Sequence, residues 1–242
     1  MELNRFSGSN CPNKRQVYAH LLGCSKVRGN VLSLVGPEPI PHLTALFATI
    51  ARVEGKYAKV FAAENNPEVM RVIKEQVRKA RTDDLPWSKR IRLYSGDVMT
   101  IPFRTGNDYY RFMDLDLMCS APRAFPIFHA LLNRQASFPF SDNLRKALLG
   151  TFTLRPGRII GWTKEAVFNE IKALCATLRA EITGFDGKIG SWGTGKRISN
   201  FGTGHYLNEH VPDIRMVGRI SQLRMMQYAD GAPMLAFYIE YK

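Results

Sequence analysis

Short apolar runs alternate with amphipathic segments over most of this 242-residue chain. The apolar runs predict buried strands at 30–36, 58–64, 89–94, 110–117 and 146–154. Between them, apolar residues recur every three or four positions, which predicts helices at 14–28, 42–54, 67–81, 123–133 and 164–182. Such alternation predicts an α/β fold, with a mostly parallel sheet and helices on both faces. Sheets of this kind bind ligands at the carboxyl ends of their strands.

The end of the chain has a different pattern. The strand-like runs 219–228 and 233–241 flank Asp230-Gly231, which predicts an antiparallel hairpin and a sheet of seven strands in all. The preceding segment 184–206 holds seven glycines and little periodicity, so we interpret it as an irregular insertion. Together with an N-terminal helical extension at 1–29, these features predict a single domain over residues 1–242.

Two loops carry local signals. The loop after the first strand reads GPEPIPH, and its three prolines are expected to prevent a helix from starting at once. After the second strand, Asn66 is expected to cap the helix that starts at Pro67, because proline suits a first helical turn.

Composition narrows the classes of protein. Hydrophobic residues make up 45% of the chain, which indicates a globular protein, and no apolar run approaches the roughly 20 residues of a membrane span. The N-terminal residues lack the apolar core of a signal peptide. The cysteines, at 11, 24, 119 and 175, have no metal or disulfide spacing, and neither do the five histidines. We therefore predict a cytoplasmic protein with no metal and no membrane association.

The net charge of +13 favours a polyanionic partner, and nucleic acid comes first. Part of the charge is clustered on one face of the helix at 67–81 and in the glycine-rich segment. The predicted nucleic-acid-binding residues are Arg71, Lys74, Arg78, Arg81, Lys196 and Arg197. The alternative is a solvated helix face and a surface loop with no partner.

Acidic residues follow successive predicted strands. Glu38 comes after the first strand, Glu64 ends the second, Asp97 follows the third, and Asp114 and Asp116 end the fourth. Carboxylates crowded at one edge suit a ligand that offers hydroxyls, an amine and a cationic centre. His42, just after the proline loop, either lines this site or lies near solvent at a helix start.

This arrangement resembles the class I methyltransferase family, over roughly residues 14–183 and 215–242. The resemblance implies S-adenosylmethionine as the cofactor, with Glu64 accepting the ribose hydroxyls, Asp97 binding the adenine amine and the Val98 N–H contacting the ring. It places Asp114–Cys119 at the methyl group and substrate, with Asp114 or Asp116 orienting the acceptor or taking its proton. The cofactor-binding residues expected are Gly36, Glu38, Glu64, Asn65, Asp97, Val98 and Asp114.

The chain also departs from that family. The first loop has Gly36 alone where the family has a glycine-rich turn, and the fourth strand ends in DLDLMC where nucleic-acid amino methyltransferases carry Asp/Asn-Pro-Pro-aromatic. A binding protein that has lost catalysis on the same fold is therefore an alternative. A dinucleotide-dependent oxidoreductase is a third, although G-x-G-x-x-G is absent after the first strand. Cys119 is interpreted as a buried thiol without chemistry.

Overall fold

The structure is a computed structural model that describes residues 12–36, 39–49, 52–53, 56–101, 104–105, 108–137, 145–153, 164–185, 206–210, 212–215, 219–229 and 233–242. Its helices are α1 (Pro12–Cys24), α2 (Pro39–Thr49), α3 (Pro67–Thr82), α4 (Ala121–Ser137) and α5 (Lys164–Thr177). The first strands are β1 (Asn30–Ser33), β2 (Arg52–Val53), β3 (Lys56–Tyr57), β4 (Val60–Glu64), β5 (Ile91–Ser95), β6 (Arg104–Thr105), β7 (Asp108–Ser120) and β8 (Lys146–Thr153). The last are β9 (Glu181–Phe185), β10 (Tyr206–His210), β11 (Pro212–Arg215), β12 (Ile220–Ala229) and β13 (Pro233–Tyr241).

One large sheet organises the molecule. Its order is β10-β12-β13-β8-β7-β1-β4-β5, and the short β6 pairs with β7. The pairs among β5, β4, β1, β7 and β8 are parallel, whereas β13 lies antiparallel between β8 and β12. The predicted mostly parallel sheet with a C-terminal hairpin is confirmed. The sheet has nine strands rather than seven in the described part of the chain, because β10 and β6 add to it.

Helices cover both faces of the sheet. Alternate residues of a strand point to opposite faces, and β1 shows this: Val31 belongs to a hydrophobic cluster with residues of α1, α2 and α3, whereas Leu32 belongs to a cluster with residues of α4 and α5. The two faces therefore have separate hydrophobic clusters. The side of α3 that packs in this core is formed by its buried residues Val69, Met70, Ile73, Val77 and Ala80.

Several predicted helix boundaries were wrong. The helix predicted over 14–28 ends at Cys24, and the helix predicted over 42–54 ends at Thr49, with Arg52 and Val53 forming β2. The prolines do not delay α2, which begins at Pro39 and includes Pro41, because the N–H groups of a first helical turn have no partner within the helix. The helix predicted over 164–182 ends at Thr177. Arg179 adopts a left-handed conformation with φ of 58°, and the Ala180 N–H donates to the Cys175 carbonyl at 3.1 Å, which closes the helix.

The buried carboxylate of Glu240 lies at the edge of the sheet where the parallel strands begin, opposite their carboxyl ends. Glu240, near the end of β13, pairs with Ala147 at the start of β8. Its Oε1 accepts from Arg145 at 2.7 Å, and its Oε2 accepts from the Tyr238 hydroxyl at 2.7 Å and the Lys26 N–H at 3.0 Å. These contacts join the segment after α1 to β8 and β13, so we regard Glu240 as structural.

Candidate active site

The carboxyl ends of β1, β4 and β5 meet at one edge of the sheet. Ser33 at the end of β1 pairs with Ala62 of β4, and Glu64 at the end of β4 pairs with Ser95 at the end of β5. The Gly96 N–H also donates to the Glu64 carbonyl at 3.0 Å. The residues that follow these strands therefore emerge side by side.

Gly36 turns the chain out of β1 toward α2. Its φ is 63°, in the left-handed region where glycine is favoured. Among the described residues, apart from its neighbours in the chain, no heavy atom lies within 4 Å of the position that a Cβ would occupy, so there is open space beside this backbone. Glu38, predicted to be in the same loop, lies outside the described residues.

Glu64 is oriented by the turn that follows β4. Its Oε1 accepts the Asn66 N–H at 2.8 Å. The Asn66 side chain in turn accepts from the N–H groups of Glu68 at 2.9 Å and Val69 at 3.3 Å, so the predicted helix cap is confirmed. Asn65 lies between them and is exposed. The Glu64 carboxylate is thereby held at the strand end and is only partly buried.

Asp97 and Val98 lie two and three residues past the end of β5. The Asp97 Oδ1 accepts the Met99 N–H at 2.8 Å and caps a short 3-10 helix, Val98–Thr100, in which Val98 is buried. Arg134 of α4 holds the far end of this turn. Its guanidinium donates to the carbonyls of Met99 at 2.7 Å and Ile101 at 2.9 Å.

Asp114 lies at the point where β7 passes the end of β1, and none of its side chain is exposed. Its Oδ2 accepts from the Ser33 hydroxyl at 2.6 Å and lies 2.6 Å from His42 Nε2. Its Oδ1 accepts from the Tyr18 hydroxyl at 3.1 Å. Burial, followed by the nearby Asp114 and Asp116 charges, raises the pKa of Tyr18, which keeps its phenol protonated.

Asp116 points to the same face and is closer to solvent, with 12% of its side chain exposed. It accepts hydrogen bonds from the Lys14 ammonium of α1 and the Thr151 hydroxyl of β8. Burial alone would raise the pKa of Asp116, but the charge and hydrogen bond of Lys14, with Thr151 and His42, hold it below its ordinary value. Asp116 is thus an ionised carboxylate and a weak base.

Sequence reasoning missed most partners of these two acids. Lys14, Tyr18 and Ser33 were not selected as site residues, and they lie 81 to 102 positions away from the acids that they contact. A lysine, a tyrosine and a serine within ordinary helix and strand patterns give no signal of such contacts. His42 was considered, and the structure places it against Asp114 with 17% of its side chain exposed.

No family model and no curated protein matches the sequence. Several solved structures are similar to this chain. One is the fibrillarin pre-rRNA processing protein of Methanococcus jannaschii, at 15% identity over 95% of this chain and 76% of that chain, with a TM-score of 0.49. Another is the delta-N METTL16 MTase domain, at 12% identity over 96% and 82%, with a TM-score of 0.48. A third is the precorrin-6y C5,15-methyltransferase of Geobacter metallireducens GS-15, at 9% identity over 93% and 86%, with a TM-score of 0.46.

The strand order identifies the fold. The last strand, β13, is inserted antiparallel between β8 and β12, beyond a parallel series that runs β5-β4-β1-β7-β8. This is the class I methyltransferase fold. The expected resemblance is therefore confirmed at the level of the fold.

On this class I methyltransferase fold, the predicted basic residues of α3 face solvent. The four share one side of α3, opposite its buried face, and they are Arg71, Lys74, Arg78 and Arg81. Lys89, Arg90 and Arg92 are exposed just beyond α3. The acids nearby pair with only some of these cations: Glu75 with Arg71, and Asp84 with Lys89. Lys196 and Arg197 lie outside the described residues.

The remaining candidate chemistry is limited. Cys119 is partly exposed rather than buried, and desolvation raises the pKa of its thiol despite the opposing effect of Arg123. Cys175 is buried, which raises the pKa of its thiol to about 12.

Within the described ranges no three His, Cys, Asp or Glu side chains are grouped to hold a metal ion. No described helix is long and apolar enough to cross a membrane.

Proposed function

We propose that this protein is an S-adenosylmethionine-dependent methyltransferase that acts on nucleic acid. The observation that carries the proposal is the placement of Gly36, Glu64 and Asp97 at or within three residues of the carboxyl ends of three adjacent parallel strands. In an open α/β sheet, ligands bind at that edge. The fold supports the same conclusion, because the resemblance implies this cofactor.

The residues present fit the cofactor. The left-handed Gly36, with open space where a side chain would be, lets the backbone approach the methionine part closely. Glu64, held by the Asn66 N–H, would accept the two ribose hydroxyls, with Asn65 beside it. Asp97 would accept from the adenine amine, and the Val98 N–H would contact the ring. The cofactor supplies an electrophilic methyl group on a sulfonium centre.

Methyl transfer depends chiefly on aligning a nucleophile with that methyl group. We assign the orientation of the acceptor to Asp116, because it is ionised and closer to solvent than Asp114. An ionised carboxylate can accept a hydrogen bond from an acceptor N–H or O–H. Asp114 would support the site from inside, through its contacts with three neighbouring elements.

Nucleic acid is the proposed substrate because of charge. The chain carries +13, and the solvent side of α3 presents cations that attract phosphates without reading sequence. Electrostatic attraction of this kind acts equally on RNA and DNA. The identity of the methyl acceptor atom is therefore inferred from the chemistry of the site and not from the charge.

Calorimetry with S-adenosylmethionine tests the cofactor assignment. Glu64→Gln removes a charged acceptor of the ribose hydroxyls, so we expect the affinity to fall about tenfold to hundredfold. The matched control is Glu181→Gln, an exposed acid of β9 away from this edge. If Glu64→Gln binds S-adenosylmethionine as tightly as wild type, Glu64 does not bind the ribose hydroxyls.

Transfer is tested with tritiated S-adenosylmethionine and separate pools of random-sequence RNA, random-sequence DNA and protein. The proposal expects label in a nucleic-acid pool. Binding of the cofactor without label in any pool would instead support a binding protein that has lost catalysis. No binding of the cofactor, and no rise in melting temperature on its addition, would contradict both.

A further inference from the structure

His42 lies in the first turn of α2 and contacts the buried acid of β7. Its Nε2 is 2.6 Å from the Asp114 Oδ2 and 3.1 Å from the Ser33 hydroxyl oxygen, which itself donates to the same Oδ2 at 2.6 Å. The loop that contains Gly36 leads directly into this turn. His42 is therefore close in the chain to the proposed cofactor site and is in contact with Asp114 of β7.

The hydrogen bonds assign the tautomer of the neutral ring. A carboxylate oxygen at 2.6 Å can only accept, so Nε2 must carry the proton that it donates to Asp114. The lone pair is then on Nδ1. Within the part of the chain that the structure describes, Nδ1 has no hydrogen-bond partner, and 17% of the side chain is exposed while Asp114 has no exposure. Nδ1 is therefore the ring nitrogen that is left to accept a proton.

The two acids are poorly suited to accept a proton from a substrate. Asp114 is fully buried, and both of its oxygens already accept hydrogen bonds. Asp116 is a weak base, because the Lys14 ammonium stabilises its ionised form. A histidine that is oriented by a buried carboxylate is a common general base, since the carboxylate holds the tautomer and offsets the charge of the imidazolium.

We propose that His42 is the catalytic base of methyl transfer, acting through Nδ1 with Asp114 as the residue that orients it. This inference rests on the proposed function and specifies the acceptor. It is a group that must lose a proton as it is methylated, namely a hydroxyl or a ring N–H of a nucleotide. The acceptor's electron pair forms the bond to the methyl carbon, the carbon–sulfur bond breaks with its electrons going to sulfur, and the acceptor's proton passes to Nδ1.

Polar and aromatic side chains from α1, β1 and β7 surround His42. The titratable groups near it are Tyr18 of α1 and Asp114 and Asp116 of β7, with the neutral Ser33 on β1 and with Lys14 of α1 on the Asp116 carboxylate. Tyr18 packs edge-on against the imidazole, with ring centroids 5.3 Å apart, and stays neutral.

The substitution His42→Gln distinguishes a catalytic role of His42 from a merely structural one. The glutamine amide can still donate to Asp114, but it has no basic nitrogen. We expect its S-adenosylmethionine affinity to stay within about threefold of wild type by calorimetry, and kcat for the RNA or DNA pool to fall on the order of 10²- to 10⁴-fold. The decline of wild-type kcat toward acid pH should be absent in the variant, because position 42 no longer carries a basic nitrogen.

The matched control is His129→Gln. His129 lies on α4, on the other face of the sheet, and also contacts a carboxylate, with Nε2 3.0 Å from Glu170. It should keep the wild-type kcat and pH profile. Equal kcat values for His42→Gln and wild type would overturn the inference, and so would a loss confined to cofactor affinity. If the wild-type protein transfers no methyl group, both the proposed function and this inference are wrong. If the wild-type protein is active and the His42→Gln variant is equally active, only this inference is wrong.

A second measurement does not depend on turnover. Nitrogen-15 NMR of the imidazoles in the apo protein distinguishes the two neutral tautomers. The inference expects His42 to have its proton on Nε2 in wild type and to lose this preference in Asp114→Asn, with near-ultraviolet circular dichroism confirming that the variant is folded. A proton on Nδ1 in wild type would overturn the inference.

Discussion

The Lys14 ammonium on α1 contacts the Asp116 carboxylate on β7, although 102 positions separate the two residues in the chain. Both side chains are mostly buried, with 24% and 12% exposure. The contact anchors the N-terminal helix to the carboxyl edge of the sheet. It also sets the charge of Asp116, because the ammonium holds the pKa of that carboxyl below its ordinary value against the opposing effect of burial.

Lys14→Met should therefore reduce stability at neutral pH. The change leaves a largely buried carboxylate without its cation, so we expect the free energy of unfolding to fall by about 1–3 kcal/mol at pH 7. The pKa of Asp116 is lower in the folded state than in the unfolded state, so its stabilisation is present above the ordinary value of 3.8 and is lost as the pH falls below it. Urea titrations at pH 7 and over the range below pH 4 measure both effects.

The control for this prediction is Lys89→Met. Lys89 also pairs with an acid, Asp84, but both side chains are exposed, so the change should be smaller than about 0.5 kcal/mol. The acid-side loss of stability should be shallower in Lys14→Met than in the control. Identical titration curves for the two variants would show that the Lys14–Asp116 contact does not stabilise the protein in solution.

Arg134→Leu should loosen the turn that carries Asp97 and Val98. The guanidinium donates to the carbonyls of Met99 and Ile101, and these carbonyls lack their charge-assisted hydrogen bonds in the variant. We expect a loss of about 2 kcal/mol in unfolding free energy and a threefold to tenfold weaker S-adenosylmethionine affinity by calorimetry.

Arg92→Leu is the comparison for Arg134→Leu. The exposed Arg92 guanidinium also reaches backbone carbonyls, at 3.2 Å from Ile91 and 3.5 Å from Lys89, but it does not brace the turn. It should leave the cofactor affinity unchanged. A loss of stability without a change in affinity for Arg134→Leu would mean that the turn does not contact the adenine ring.

Gly150→Ala and Gly23→Ala should change stability in opposite directions. A Cβ at Gly150 on β8 would lie 2.5 Å from the Phe237 ring and 3.0 Å from Phe128, in the packed face under α4. We expect a loss of about 1–3 kcal/mol from overpacking. At the exposed Gly23 in α1, no atom lies within 4 Å, and alanine should raise helix stability by up to about 1 kcal/mol. Thermal unfolding checks the pair, and equal shifts would contradict the packing at Gly150.

The sequence predicts features that depend on neighbouring residues, and it misses those that depend on distant ones. Asn66 and Pro67 specify the start of α3 locally, and the Asp-Gly turn places the hairpin of β12 and β13. The end of α5 gave no signal, because Arg179 rather than a glycine adopts the left-handed conformation. The partners of Asp114 come from α1, α2 and β1, and only the folded sheet brings them together. The acids themselves were found because they follow strands, which is a local pattern.

The basic side of α3 gives a prediction about nucleic acid. Replacing both Lys74 and Arg78 with alanine should weaken RNA binding and make log affinity fall less steeply with log salt. The slope should decrease by about 0.7 for each phosphate that the variant no longer neutralises on a single strand, or by roughly 0.9 on a duplex. Fluorescence anisotropy with a labelled random-sequence RNA between low and moderate salt measures the slope.

The matched double variant is Lys172→Ala with Arg179→Ala. It removes the same charge from α5 and the turn after it, on the opposite face of the sheet. Because long-range attraction depends on total charge while phosphate contacts depend on position, the control should weaken binding only slightly and keep the wild-type slope. Equal decreases in affinity for the two double variants would indicate that only the net charge attracts RNA. An unchanged slope in the α3 variant would show that this side of the helix does not contact phosphates.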